Sequence, residues 1–172
     1  MKLQVGSSEV VGRYKGADWT NLDIEPHRGV DIVADASELI PLDTGSVDVI
    51  HCIHVLEHVT RDKYQPMLRE MHRVLKPGGV LWVEVPDFKG TVDNLLAAFI
   101  SNDVDAIHIW TTSVYGKNER AGMAHHWGFY EGLLRREFRY QGFKEVTRLT
   151  EKDDMISTHY KQEPVLLVRG VK

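Results

Sequence analysis

The sequence predicts a layered α/β domain built on a mostly parallel sheet, and three observations predict it. Short apolar runs alternate with longer stretches of helical period, the pattern of strand–helix–strand units. The runs are separated by turn chemistry such as "DTGS" at 43–46 and "KPGG" at 76–79. Several runs close in an acid, so polar groups gather at one end of the sheet, where such folds place their ligands. At 172 residues the chain suits one domain with a real core and is short for two. A composition of 42% hydrophobic and 27% charged residues is ordinary for a globular protein.

Leu3 to Val5 is the first strand, and it enters "GSSEVVG", where Gly6 stands without the usual neighbouring glycines of a ligand-delivering turn. Trp19 to Ile24 is the second, with Asp23 and Glu25 at its end before Pro26; Asp31 to Ala34 is the third, ending in Asp35. Val47 to Ile53 is the fourth, and His51 inside it reads as a satisfied core residue. "RDKYQPMLREMHRVL" (61–75) then carries Met67, Leu68, Met71, Val74 and Leu75 on one helical stripe, stopped by Lys76-Pro77-Gly78-Gly79. Val80 to Val85 is the fifth strand, closed by Pro86-Asp87. Residues 87–128 read as a long irregular insertion, the one segment able to cover a crevice at the strand ends. "EGLLRREFRYQGF" (131–143) is a helix with Leu133, Leu134 and Phe138 inward, Gly142 as its cap and its arginines on a solvated face. Strands at 144–149 and 163–170 complete the chain. Parallel pairing with right-handed crossovers brings the turn after Val5, Asp23, Asp35 and the polar run after Ile50 to one crevice.

Bulk charge narrows the partners. A net charge of −4 and a pI near 6.1 give no electrostatic footprint for nucleic acid or an anionic membrane. The single cysteine, Cys52, excludes an internal disulfide. No run approaches the roughly 20 apolar residues that span a bilayer, and no apolar signal run precedes the first strand, so the expectation is a cytoplasmic protein.

Two acids at consecutive strand ends favour a nucleoside ligand. Asp23 offers two acceptor oxygens to a ribose diol, and Asp35 offers one to an adenine amino group. The structural alternatives are an Asx turn before Pro26 for Asp23 and an N-cap of "SEL" for Asp35.

The order "KLQVGSS … DWTNLDIEP … VDIVADASELIPLDTGSVDVIHCIHVLEHV … EMHRVLKPGGVLWVEVPD" resembles the class I S-adenosylmethionine-dependent methyltransferases. It is most similar to a small bacterial branch that accompanies polysaccharide biosynthesis, and "HHWGFYEGLLRREFRYQGFKEV" is similar to that branch as well. The resemblance implies one Rossmann-like methyltransferase domain over 1–172, with 87–128 as a substrate-covering insertion. Its sheet is seven-stranded and mostly parallel, with an antiparallel last strand and helices on both faces. S-adenosylmethionine is the implied cofactor. Gly6 and Ser7 would meet its methionine part, Asp23 its ribose, Ile24 its adenine face, Asp35 and Ala36 the adenine edge, and Cys52 to His54 the sulfonium end. The departure is Gly6-Ser7-Ser8 where the family has Gly-Cys-Gly. A serine forced to positive φ at the third position costs about 1–2 kcal/mol.

Methyl transfer from a sulfonium is mainly in-line positioning, with a general base where the acceptor is a hydroxyl. His54, Glu57, His58, His125 and His126 are the candidate bases, with His54 and His126 chosen as catalytic. Tyr115, His125, His126 and Trp127 form the expected pocket for a small-molecule or glycan-type acceptor. A homodimer would help close a site without an N-terminal lid. The main alternative is a non-catalytic methyltransferase-like binding module, suggested by Ser7-Ser8. A remoter one is a zinc hydrolase, because "HVLEH" (54–58) fits H-x-x-E-H. That pattern needs a long helix and here follows directly on a strand, so no metal is expected. "GSSEVVG" lacks the G-x-G-x-x-G of a dehydrogenase, and "HCIHV" is not the D/N-P-P-Y type of motif that a base methyltransferase carries.

Overall fold

The computed structural model describes residues 1–6, 18–117, 122–149 and 164–172. Seven strands form one sheet: β1 (Lys2–Val5), β2 (Trp19–Asp23), β3 (Ile32–Val33), β4 (Val47–Ile53), β5 (Leu75–Pro86), β6 (Lys144–Leu149) and β7 (Val165–Val171). Their order is β3-β2-β1-β4-β5-β7-β6. Neighbours from β3 through β5 pair in parallel, and β7 is antiparallel to both β5 and β6. The expected sheet, mostly parallel with a reversed last strand, is the one observed. Chain order reverses between β1 and β4, which opens a crevice at their carboxyl ends.

Register explains which residues are core. Leu3 pairs with Ile50, and Val5 pairs with both Leu22 and Cys52. Leu81 and Val83 continue that row from Ile50 and Cys52. All of these side chains belong to one buried cluster with helix α1 (Arg61–Val74) and helix α4 (Glu131–Tyr140). Met67, Leu68, Met71 and Val74 of α1 and Leu133, Leu134 and Phe138 of α4 are the buried stripes that the periodicity predicts. Helix α1 ends one residue early, because Leu75 pairs with Val47 and opens β5. The opposite row, Gln4, His51 and Trp82, points to the other face, where His51 packs between Trp19 and Trp82 with ring centroids 4.8 and 5.9 Å away. Residues 7–17, between β1 and β2, lie outside the described residues.

The 87–128 stretch departs from its expected irregularity. It forms helix α2 (Phe88–Ser101) and helix α3 (Val104–Tyr115), packed on each other as a hairpin. Asn102 ends α2 in the left-handed conformation, and the Asp103 carboxylate caps α3 by accepting from Ala106 N–H at 3.0 Å. Asn-Asp between two apolar stretches was the available signal.

Candidate active site

Gly6 leaves β1 at the point where strand order reverses. Its φ is +77°, and a Cβ there would stand 2.1 Å from Val55 Cγ2, so both backbone and space require glycine. Its N–H donates to Leu22 O at 2.9 Å, which ties the turn to the end of β2. Ser7 and Ser8 lie outside the described residues.

Asp23 closes β2 largely buried, its side chain 14% exposed. Its Oδ1 accepts from Glu25 N–H at 3.0 Å and Oδ2 lies 3.4 Å from His27 Nε2. The Asx turn weighed in the sequence is therefore formed, with Oδ2 beside the His27 ring. Beyond it Ile24 is 63% exposed, an apolar side chain presented at a strand end. Asp35 accepts from Ser37 N–H at 2.8 Å and Ser37 Oγ at 2.6 Å, and Lys63 Nζ of α1 donates to its other oxygen at 3.1 Å. Partial burial acts to raise its pKa, yet the Ser37 and Lys63 contacts outweigh it and hold the carboxyl below the ordinary range. Both oxygens are thus engaged within the fold; what Asp35 holds in place is the 35–37 turn and the backbone of buried Ala36.

After β4 the chain turns sharply. His54 has φ +52°, rare for a non-glycine residue, and a short 3₁₀ turn, Leu56–His58, follows. "HVLEH" is therefore a strand end and a turn, without the helix a zincin needs. His54 N–H donates to Glu84 O at 2.8 Å. Its ring bridges two buried carboxylates, Nδ1 to Glu57 Oε1 and Nε2 to Glu84 Oε1, each at 3.1 Å. Burial alone would lower the ring's pKa, but Glu57 and Glu84 raise it to about 9. His54 is a doubly held cation at neutral pH and has no lone pair to offer as the expected general base. Glu84 is wholly buried and was missed; its signal was a lone acid in the apolar run "VLWVEVP".

Cys52 does not face this crevice. It is 0% exposed and belongs to the core row with Val5 and Val83, so its side chain does not line a cofactor. Burial pushes its thiol pKa up. The expected pocket residues converge only in part. His126 N–H and Trp127 N–H reach Glu57 O at 2.7 and 3.4 Å, and His58 Nδ1–H donates to Ala124 O at 3.1 Å. His125 N–H bonds Tyr115 O at 2.9 Å, and its Nδ1–H donates to Ser113 O at 2.9 Å. The His125 and His58 rings pack edge to face, 5.0 Å apart. Trp127 is half-buried on the core under the Arg61 guanidinium, 5.1 Å from its ring, while the His126 side chain is exposed. Tyr115, 64% exposed, contributes its backbone to this contact.

Strand order, the turn at the switch point and acids at successive strand ends form a Rossmann-like α/β fold. Residues 7–83 match the family described as "Methyltransferase domain". Solved structures similar to the whole chain include a SAM-dependent methyltransferase from Archaeoglobus fulgidus, 14% identical with a TM-score of 0.64, covering 99% of this chain and 85% of that one. A possible histamine N-methyltransferase from Thermotoga maritima is 19% identical with a TM-score of 0.63, covering 99% and 81%. Over 65 residues the chain is 37% identical to the human tRNA N(3)-cytidine methyltransferase METTL2B, a stretch that is 36% of this chain and 17% of that protein. Over residues 7–83 the chain is thus similar in sequence to that family, and over its whole length it shares the fold of S-adenosylmethionine-dependent methyltransferases, proteins whose cofactor is S-adenosylmethionine. The residues present fit that cofactor: a glycine-only turn at the switch point, a carboxylate at the end of β2 and an exposed apolar side chain beside it.

Proposed function

We propose that the protein binds S-adenosylmethionine across the carboxyl ends of β1 to β4 and methylates a small-molecule or glycan-type acceptor beneath residues 123–129. The observation that carries this reading is the bonding of His126 and Trp127 N–H to Glu57 O, which brings the end of the 87–128 stretch to the turn after β4. The bound cofactor supplies a methyl group already activated on sulfur, so the chain's work is placement. In this reading Gly6 lets the backbone pass close to the methionine part, and Ser7 follows it. Asp23 Oδ2 accepts from the ribose, Ile24 covers the adenine face, and the Asp35-anchored turn presents Ala36 to the adenine edge. His54, fixed by Glu57 and Glu84, positions the sulfonium end of the site. The base role falls to His126, whose exposed imidazole stands next to His125 and Trp127 in the acceptor pocket.

Calorimetric titration with S-adenosylhomocysteine tests the cofactor half. Asp23→Ala is expected to weaken binding at least tenfold, about 1.4 kcal/mol, and unchanged affinity would remove Asp23 from the site. For the acceptor half, His126→Ala should lower turnover and leave cofactor affinity alone. A tRNA acceptor is the second reading, favoured by the likeness to a tRNA methyltransferase and opposed by the net charge of −4, which repels a polyanion. Labelled methyl supplied to a panel of sugars and to total tRNA separates the two; label in tRNA alone would overturn the glycan-type assignment.

A further inference from the structure

The geometry points to a site for one divalent transition-metal ion of the zinc class, held by the Glu57 carboxylate, His58 and His125. One ligand atom from each of the three lies within 4.8 Å of the others. Two of the ligands come from the turn after β4 and the third from the end of the 87–128 stretch, so the ion would sit where the two segments meet. The expectation from sequence was no metal, and the rival H-x-x-E-H pattern would have used His54. The structure removes His54 from any such set by giving both its nitrogens to carboxylates.

Each ligand is already oriented. His58 Nδ1–H donates to Ala124 O and His125 Nδ1–H to Ser113 O, at 3.1 and 2.9 Å. For His58 the backbone carbonyl on Nδ1 sets the tautomer that carries its lone pair on Nε2, the arrangement usual behind metal-bound histidines. His58 Nε2 lies 3.9 Å from Glu57 Oε1. The carboxylate itself is 2% exposed, with Oε1 held by His54 and Oε2 making no hydrogen bond among the described residues. A buried acceptor oxygen left in this state has a physical cost that a cation would relieve. Zinc bonds of about 2.0–2.2 Å place ligand atoms about 3.3–3.6 Å apart in a tetrahedron. Side-chain rotations that close the set by about an ångström suffice. Two nitrogens and one oxygen suit zinc and its neighbours rather than magnesium or calcium, and three protein ligands leave the fourth position for water or an acceptor oxygen.

Metal-free protein dialysed against Zn²⁺, with the retained metal measured, tests the site without reference to methyl transfer. One zinc per chain is expected, and Co²⁺ in its place should give the intense visible absorption of a four-coordinate ion. His58→Ala and His125→Ala should each weaken binding by more than the 10–100-fold typical of losing a supporting contact. Asp23→Ala should bind zinc normally, so failure of the cofactor assignment and failure of the metal assignment are told apart. Should either histidine variant misfold, the wild type alone decides: Zn²⁺ should raise the melting temperature of the metal-free protein and a chelator should reverse it. No retained zinc, no spectrum and no thermal shift would overturn the proposal, as would stoichiometric zinc indifferent to both substitutions in folded variants.

Discussion

His51 lies fully buried between Trp19 and Trp82 on the sheet face away from α1 and α4. Burial, with Lys2 nearby, pushes its pKa down to about 4 from an ordinary 6.5. The imidazole is therefore neutral in the native protein at pH 7. As pH falls below about 6.5 the unfolded chain takes up a proton that the folded one refuses, so stability is full above that value and is lost progressively down to pH 4. The loss is on the order of 3 kcal/mol. Melting temperatures of wild type and His51→Phe across pH 7 to 4 check this; the variant should show a flatter acid limb in that window, and parallel curves would remove His51 as the cause. His51 and Cys52 also show what period-two alternation decides. Consecutive residues of β4 face opposite sides, so only one of them belongs with the core beneath α1.

Among the elements, the close fit of the chain after α3 against α2 sets the position of the pocket residues. A Cβ on Gly128 would lie 2.4–2.9 Å from ring atoms of Phe88, the first residue of α2, and Phe88 N–H donates to Phe129 O at 2.9 Å. Gly128→Ala should destabilise the protein by about 1–3 kcal/mol through overpacking, read as a lower midpoint in urea with an unchanged slope. An unchanged midpoint would mean that the contact yields freely. Most strands were legible to within a residue or two because apolar runs between turn residues leave few alternatives, and Val47–Ile53 falls where alternation puts it; β5 was not, since it opens at Leu75, five residues before the expected Val80, and runs through the Lys76–Gly79 stretch read as a turn. Helices α1 and α4 were legible from their stripes. Helices α2 and α3 were not, since Leu96, Phe99, Ile100, Val104 and Ile109 are left on the surface and no core-facing stripe stands out. In the candidate site, acids at strand ends could be read from position alone. The Glu57–His54–Glu84 bridge could not, because Glu84 meets His54 only through the register of β4 with β5.

At the scale of the whole molecule, the α2–α3 hairpin carries an apolar surface that the sheet does not use. Leu96, Phe99, Ile100, Val104, Ile109 and Tyr115 are each more than half exposed. A second copy meeting hairpin to hairpin is the expected occupant, with Asp93, Asp103 and Asp105 disfavouring an anionic lipid surface; no described helix is long and apolar enough to cross a membrane. Light scattering should give a dimer that Ile100→Asp dissociates, and a monomer at every concentration would refute this pairing. The amino group of Met1 is clasped by Asp48, and Lys172 reaches the carbonyls of Arg73 and Leu75. These contacts lie at the amino ends of the parallel strands, away from the crevice. A tether or reporter joined after Lys172 would thus hang from the underside and leave the approach to the crevice clear. One joined before Met1 would hang there too, at the cost of the clasp.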